Sequence, residues 1–171
     1  EGGISVYMDV KNNNDLSIDY TNIPRLDWLK KTYLRTMRAS FVGKENNIFT
    51  DDEKMKICLE WVNEWNFRKL CLRTEIKSAD DISVATSVLY DFYYGDADEK
   101  GKLTYSIDIS SLAPGRYRMN YVFFIRNKLG QNTDVDCVHG LYFEKVANNG
   151  ILWNSKNWGR IILPSPEILE V

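Results

Sequence analysis

The chain has 171 residues, close to the size of one ordinary domain. Apolar residues make up 44% of it and aromatic residues 13%, which is enough for a packed core and excludes an intrinsically disordered chain. The 22 basic and 24 acidic side chains give a net charge of −2, so the overall charge does not favour binding to nucleic acid or to an anionic membrane.

The first 33 residues lack the regular alternation seen later in the chain. Within them, residues 4–10 predict an added strand, and residues 24–33, which open on Pro24, predict a short helix. We therefore expect residues 1–33 to form a linker or N-terminal arm and residues 34–171 to form the folded domain. Because the sequence starts without a methionine, we also expect it to be a piece of a longer protein.

From residue 34 onward, apolar and polar side chains alternate in short runs, the pattern of half-buried strands. The predicted strands are 34–42, 55–61, 68–76, 83–92, 102–109, 115–127, 137–146 and a final short run at 160–163. We expect 55–61 and 68–76 to pair as neighbours. Strands at this spacing, without alternating helices, predict an all-β protein built as an antiparallel β-sandwich.

The segment before the strand at 115–127 carries the sharpest local signal. Leu112, Pro114, Gly115 and Tyr117 form a Leu-x-Pro-Gly-x-Tyr sequence, in which a tight turn leads into a strand. In immunoglobulin-like sandwiches, a tyrosine in this position returns its hydroxyl to the turn backbone, an arrangement called the tyrosine corner. We therefore expect an immunoglobulin-like antiparallel β-sandwich with an N-terminal arm, in which Tyr117 is structural.

The outward faces of the strands at 68–76, 115–127 and 137–146 combine planar hydrogen-bonding groups with aromatic and apolar surface. A carbohydrate offers hydroxyl groups to such polar groups and apolar ring faces to aromatic side chains. The candidate carbohydrate-binding residues are Arg73, Glu75, Arg118, Asn120, Arg126, Tyr142 and Glu144. The alternative for any one of them is an ordinary solvated surface residue.

The sequence lacks motifs for catalysis, metal binding and phosphate binding. His139 is the only histidine, and without partners at ligand spacing it is expected to be a packed or surface residue. The Asp-x-Asp pairs that begin at Asp96 and Asp134 lie outside any calcium-loop pattern, so we interpret them as turn residues. Neither Gly43 nor Gly101 belongs to a phosphate-binding loop. We expect a protein that is not an enzyme and has no cofactor or metal.

Three cysteines, Cys58, Cys71 and Cys137, form an odd and sparse set that is unlike a disulfide framework. If residues 62–67 turn a hairpin, Cys58 lies opposite Cys71, with both side chains outward. The geometry of a disulfide between neighbouring strands is restrictive, so we expect three free thiols and a cytoplasmic location.

Four segments, in their order along the chain, together point to a family. They are Phe49 to Glu53, Pro114 to Arg118, Gly140 to Val146, and a terminal segment from Gly150-Ile-Leu-Trp153 through the Trp-Gly-x-Ile-x-Leu-Pro run that ends at Pro164. Over about residues 36–165, the chain resembles the C-terminal domain of the ATP-binding subunit of O-antigen and related cell-surface polysaccharide ABC exporters.

This resemblance implies a non-catalytic immunoglobulin-like domain that binds the exported polysaccharide and couples its recognition to the transporter ATPase. The partners it implies are the polysaccharide, the membrane subunit of the transporter and the protein's own ATPase domain on the N-terminal side; nucleic acid is not expected. The location it implies is the cytoplasmic face of the inner membrane. Binding residues in this family vary with the glycan, so the resemblance assigns none of them here.

Sheet edges expose unpaired backbone groups, and the arm at residues 4–10 offers a strand to a partner's edge, so we expect a homodimer. Two other functions stay open from the sequence. One is a structural dimerisation or adaptor sandwich without a ligand, and the other is a glycoside-active enzyme. A phosphate-binding loop directly upstream of residue 1 would favour the exporter hypothesis over these two functions. Binding of the chain to a glycan array is the other observation that distinguishes them.

Overall fold

Two β-sheets pack face to face in the computed structural model, which describes residues 14–26, 29 and 33–169. The strands are β1 (Ser17–Asp19), β2 (Leu34–Phe41), β3 (Ile48–Phe49), β4 (Lys54–Asn63), β5 (Phe67–Ser78), β6 (Ser83–Gly95), β7 (Lys100–Asp108), β8 (Gly115–Arg126) and β9 (Asn132–Lys145). A short helix, α1 (Ser155–Trp158), follows them.

The first sheet has four strands in the order β1-β2-β4-β7, and the second has five in the order β3-β9-β8-β5-β6. Among the described strands, every pairing is antiparallel except the short one between β3 and β9, which is parallel. At the start of β8, the Tyr117 hydroxyl donates to the Ala113 carbonyl oxygen at 2.7 Å, which is the tyrosine corner predicted from the sequence. The all-β, immunoglobulin-like sandwich is confirmed.

Alternation along the strands builds the core between the two sheets. In β4, Ile57, Leu59 and Trp61 are at most 1% exposed, because residues two apart share the face that points toward the second sheet. The Trp61 ring lies 5.1 Å from that of Phe123 in β8, so the sheets meet through aromatic side chains. Gly101 in β7 leaves the room that Trp61 needs, since a Cβ there would lie 2.0 Å from the indole Cε2.

The predicted pairing of 55–61 with 68–76 is wrong. β4 lies between β2 and β7 in the first sheet, whereas β5 lies between β8 and β6 in the second, so the link at residues 64–66 crosses between the sheets. The same alternate residues are buried whether the two strands pair in one sheet or lie in different sheets. The alternation of apolar and polar residues therefore does not distinguish the two arrangements. Cys58 therefore lies in a different sheet from Cys71, and all three cysteines are free thiols.

Two predictions in the second half of the chain are also wrong. Residues 160–163 form no strand, and Ile161 makes only one isolated bridge. The run had the apolar pattern of a strand but pairs with no neighbouring strand beyond that bridge. Asp134 and Asp136 lie within β9 rather than in a turn, because the strand already begins at Asn132.

The described part of the first 33 residues packs against the sandwich. β1 pairs with β2, and the buried Tyr20 donates its hydroxyl to the His139 carbonyl oxygen at 2.6 Å. Residues 24–26 are not helical, while residues 27, 28 and 30–32 of the predicted helix and the predicted strand at 4–10 lie outside the described residues. The boundary between arm and domain at residue 33 stays a prediction.

A buried ion pair joins this segment to both sheets. Arg25 Nε lies 2.8 Å from Asp136 Oδ1, and the two side chains are 6% and 0% exposed. The other carboxylate oxygen, Oδ2, accepts hydrogen bonds from the backbone N–H and the hydroxyl of Thr36 in β2, both at 2.7 Å. Arg25 also donates to the Thr36 carbonyl oxygen at 2.8 Å. Asp136 in β9 therefore links the second sheet to β2 of the first and to the segment that precedes it.

A bulge in β9 gives Asp136 its inward direction. Phe123 pairs with Asp136 and Phe124 pairs with Asp134, so Val135 is an extra residue opposite β8. As a result, Asp136 points into the core beside Phe123, whereas Asp134 lies on the outer side of the sheet beside Phe124. Residues two apart normally share a face, so simple alternation does not reveal this division.

Replacing Asp136 by alanine is expected to lower the free energy of unfolding by about 3–5 kcal/mol, because it leaves the Arg25 guanidinium buried without its counter-charge. Chemical denaturation followed by tryptophan fluorescence measures this loss. Arg68→Ala removes the exposed pair between Arg68 and Asp96, and as the control it should cost less than about 1 kcal/mol. Equally small losses in the two variants would contradict the importance of the buried pair.

Candidate functional site

The second sheet has an outer face, by which we mean the side chains of β6, β5, β8 and β9 that point away from the first sheet. All seven candidate residues lie on three adjacent strands of this face. β5 carries Arg73 and Glu75, β8 carries Arg118, Asn120 and Arg126, and β9 carries Tyr142 and Glu144. β8 lies between the other two strands, so the strand at 68–76 belongs to the same sheet as the others.

Cross-strand register arranges several of these residues in rows. The two central rows are Glu75-Asn120-His139 and Lys77-Arg118-Tyr142. Neighbouring strands are about 4.8 Å apart, so side chains within a row can reach one small ligand. Arg126 and Glu144 lie at opposite ends, because Glu144 pairs with Arg116, which is roughly 30 Å along β8 from Arg126. The seven residues therefore form a long face rather than a single pocket.

Carboxylates hold arginines of the outer face in place. Arg73 Nε lies 2.7 Å from Glu75 Oε1, and its Nη2 lies 3.3 Å from Asp134 Oδ2. Arg118 pairs with Asp81, and its side chain is only 11% exposed. Each guanidinium carries five N–H donors, and the pairs named here use one or two of them. The arginines are thus fixed in direction and keep donors for a ligand.

Asn120 is oriented outward but is only 6% exposed. Its Oδ1 atom lies 3.2 Å from Nδ1 of His139, which is the more exposed of the two residues. The loss of solvent around the His139 ring, and then the positive charge of Arg118, lower the pKa of His139. Asn120 therefore orients His139, a residue that the sequence did not include among the candidates.

β6 contributes two more side chains that the sequence did not include. The Tyr90 ring is 58% exposed, and its centroid lies 4.5 Å from the guanidinium carbon of Arg126. Asp91 Oδ2 accepts a hydrogen bond from Arg126 Nη2 at 2.9 Å. The alternation of the strand at 83–92 was visible in the sequence, but nothing there placed β6 beside β5. Without that pairing, Tyr90 had no link to the candidate face.

Beneath these polar groups, the outer face is apolar. Val122 and Phe124 are each 1% exposed although they point away from the core between the sheets. Arg73 covers Phe124, with its guanidinium carbon 5.7 Å from the ring centroid, and Tyr90 meets the same ring at 6.2 Å in an edge contact. Val122 and Phe124 are therefore covered and support the side chains above them, while the exposed ring of Tyr90 is the apolar surface that a C–H face of a ligand can meet.

The thiols of this face are poor nucleophiles at neutral pH. Burial, and then the negative charge of Glu75, raise the pKa of the Cys137 thiol to about 11. Burial also raises the pKa of the Cys71 thiol. Both groups are therefore protonated at neutral pH, and the thiolate is the reactive form. Among the described residues, no three His, Cys, Asp or Glu side chains form a group that could hold a metal ion.

A separate cleft of about 380 Å³ lies on the first sheet. The lining residues are Met37, Glu60, Trp61, Val62, Lys100, Gly101 and Lys102. Because these residues belong to β2, β4 and β7, the cleft lies on the opposite sheet from the outer face. It is the alternative position for a ligand. Within the described residues, no helix has the length and apolar character to cross a membrane.

The chain is similar to the crystal structure of the C-terminal domain of Wzt, with a TM-score of 0.62 and 13% sequence identity over 80% of this chain and 84% of that chain. The two share a β-sandwich fold. The resemblance inferred from the sequence motifs is therefore confirmed in the fold. No family model and no curated protein sequence matches the chain.

The lowered pKa of His139 predicts a pH dependence of stability. As pH falls through the ordinary histidine value of 6.5, the unfolded chain takes up a proton that the folded chain resists, so stability decreases on the acid side. Opposite charges act on the ring, since Arg118 and Lys77 lower the pKa and Asp81 raises it. His139→Asn should remove this component.

The check is the melting temperature of both proteins at about pH 7.5 and about pH 5.5. The wild-type chain is expected to lose more stability than His139→Asn over this interval. The difference between the two proteins isolates His139 from the carboxylates, which titrate in both. An equal loss in the two proteins would show that the folded and unfolded chains bind the His139 proton alike.

Proposed function

We propose that this chain is a non-catalytic carbohydrate-binding domain that recognises the polysaccharide exported by an ABC transporter and couples this recognition to the transporter ATPase. The observation that carries the proposal is the outer face of the five-stranded sheet, where arginines held by carboxylates lie beside two tyrosines, Tyr90 and Tyr142. The similarity of the fold to the C-terminal domain of Wzt supports it, as does the sequence resemblance to O-antigen exporters.

The central rows of the outer face suit a sugar. Arg118 and Tyr142 are cross-strand neighbours, and Glu75 lies in the adjoining row. The guanidinium and the phenol donate hydrogen bonds, while the carboxylate accepts them. The hydroxyl groups of a sugar can therefore act here both as acceptors and as donors. Side chains within a row are about 4.8 Å apart, and the two rows are roughly 7 Å apart along the strands, so one sugar ring can reach groups of both rows.

Ion pairing prepares the face for binding. Arg118 is held by Asp81, and Arg73 is held by Glu75 and Asp134. Long side chains usually lose rotamer freedom when a ligand immobilises them, which weakens binding. In this chain, the ion pairs have already restricted the rotamers of Arg73 and Arg118 on folding. A shallow face can therefore bind a glycan without a deep pocket, and its length suits a polymer better than a monosaccharide.

The remaining partners follow from the exporter setting that we propose. In the full-length protein, the domain would contact its own ATPase domain and the membrane subunit of the transporter at the cytoplasmic face of the inner membrane. Chemistry on the glycan is not part of the proposal, because the carboxylates Glu75, Asp134 and Asp81 are all engaged with arginines rather than poised beside a reacting group.

Arg118→Ala and Tyr142→Ala are each expected to weaken glycan binding about fivefold or more, the value of one hydrogen bond in a shallow site. The probe is a glycan that a glycan array shows to bind the parent chain, and calorimetry measures the affinity. Thermal unfolding should change little in Tyr142→Ala and only slightly more in Arg118→Ala, because both side chains lie outside the core between the sheets and Asp81, the partner of Arg118, is 61% exposed.

Lys102→Ala is the matched control. Lys102 is 67% exposed and lines the cleft on the first sheet, so its removal should leave glycan affinity unchanged. Full affinity in both outer-face variants together with lost affinity in Lys102→Ala would move the site to that cleft. An array without any bound glycan would instead favour a structural adaptor domain.

We also propose a homodimer that depends on residues 1–13. The sheets end in β1, β7, β3 and β6, whose outer edges lack a strand partner among the described residues. Removing residues 1–13 keeps β1 and Arg25, so the sandwich should stay folded while the dimer becomes a monomer. Light scattering coupled to size-exclusion chromatography measures this. A monomeric full chain, or a dimer that survives the truncation, would contradict the proposal.

A further inference from the structure

The ring of Tyr90 is an exposed aromatic surface on the outer face. The ring is 58% exposed, yet it is held on two sides. The guanidinium carbon of Arg126 lies 4.5 Å from its centroid, and the Phe124 ring meets it at 6.2 Å with an interplanar angle of 87°. Tyr90 is therefore an ordered aromatic surface that remains open to solvent.

The backbone next to Tyr90 is shaped to hold this arrangement. Asp91 has a φ of 49°, in the left-handed region that is uncommon outside glycine and that aspartate tolerates better than most residues. The Asp91 N–H donates to Cys71 Sγ at 3.3 Å, and its carboxylate accepts from Arg126 Nη2 at 2.9 Å. The same residue thus shapes the strand after Tyr90 and fixes the arginine that packs on its ring.

The ion pairs of the outer face contain equal numbers of basic and acidic side chains. The basic side chains in these ion pairs are Arg73, Lys77, Arg116, Arg118 and Arg126, and the acidic ones are Glu75, Asp81, Asp91, Asp134 and Glu144. Five positive and five negative charges leave no net field from these pairs to attract a charged ligand. An acidic sugar would also approach carboxylates that already occupy the arginines.

We propose that Tyr90 is a stacking platform for a sugar ring and that the glycan bound on the outer face is uncharged. This inference rests on the proposed function and adds a specificity residue and a class of substrate to it. The C–H face of an uncharged pyranose packs on the open side of the Tyr90 ring, while Arg126 and Phe124 hold the ring in place. Hydrogen bonds from the central rows then set its orientation.

The test uses two groups of probes on the whole chain. The neutral probes are dextran, mannan and galactan, and the acidic probes are alginate and polysialic acid. Array binding identifies the probe that is retained, and calorimetry then measures its affinity at low and at high salt. We expect a neutral probe to bind, with an affinity that changes less than about twofold with salt, because screening acts on net charge interactions.

Tyr90→Ala is expected to weaken binding of that neutral probe about tenfold, whereas Tyr90→Phe, which keeps the ring, should stay within about twofold of the parent. Tyr33→Ala is the matched control, since Tyr33 is also exposed but precedes β2 of the first sheet and packs on Trp65. The affinity of Tyr33→Ala for the neutral probe should equal that of the parent. If Tyr90→Ala does not fold, NMR of the parent chain replaces it. The ring signals of Tyr90, assigned by comparison with Tyr90→Phe, should shift when the glycan is added, and unchanged ring signals would overturn the role of Tyr90.

The outcomes separate this inference from the function on which it rests. A neutral probe that binds Tyr90→Ala as tightly as the parent overturns the role of Tyr90 and leaves the binding domain intact. Salt-sensitive binding of only acidic probes overturns the substrate class. Binding of no glycan in either group overturns the proposed function, and this inference fails with it.

Discussion

The carboxylate of Asp136 is the polar contact on which the arrangement of the two sheets depends. It is fully buried, and it satisfies Arg25 on one oxygen and Thr36 on the other. A buried charge of this kind is stable only when its partners are in place, so the segment before β2, the strand β2 itself and β9 must assemble together. An apolar residue at this position would fill space but would not specify those three partners.

The same stretch of β9 connects the core to the outer face. The bulge at Val135 turns Asp136 inward and leaves Asp134 outward, where it lies 3.3 Å from Arg73. Arg73 in turn covers the Phe124 ring. One local irregularity therefore serves two purposes, since it anchors the N-terminal segment and fixes a polar group of the candidate site. In β6, a second irregularity in the pairing includes Asp91, whose carboxylate fixes the Arg126 guanidinium on the Tyr90 ring.

Strand positions and the face that each candidate residue occupies were predictable, because both follow from a period of two. Alternation placed Arg118 outward and Tyr117 inward, and the turn sequence identified the tyrosine corner. Sheet pairing was not predictable, because alternation is the same whether β5 follows β4 in one sheet or crosses to the other. Asp136 was misread as a turn residue because β9 begins five residues before the predicted strand, and the bulge hid its inward direction. Tyr90 was missed because no sequence pattern placed β6 beside β5.

The outer face of the five-stranded sheet is proposed to bind a glycan. Backbone amide NMR during titration with a glycan that binds the chain tests this proposal most directly, since it reports every strand at once. The largest shifts are expected on β5, β6, β8 and β9, with those of β4 and β7 almost unchanged. Large shifts around Val62, Lys100 and Lys102, with the outer face unaffected, would contradict it and place the ligand in the cleft on the first sheet.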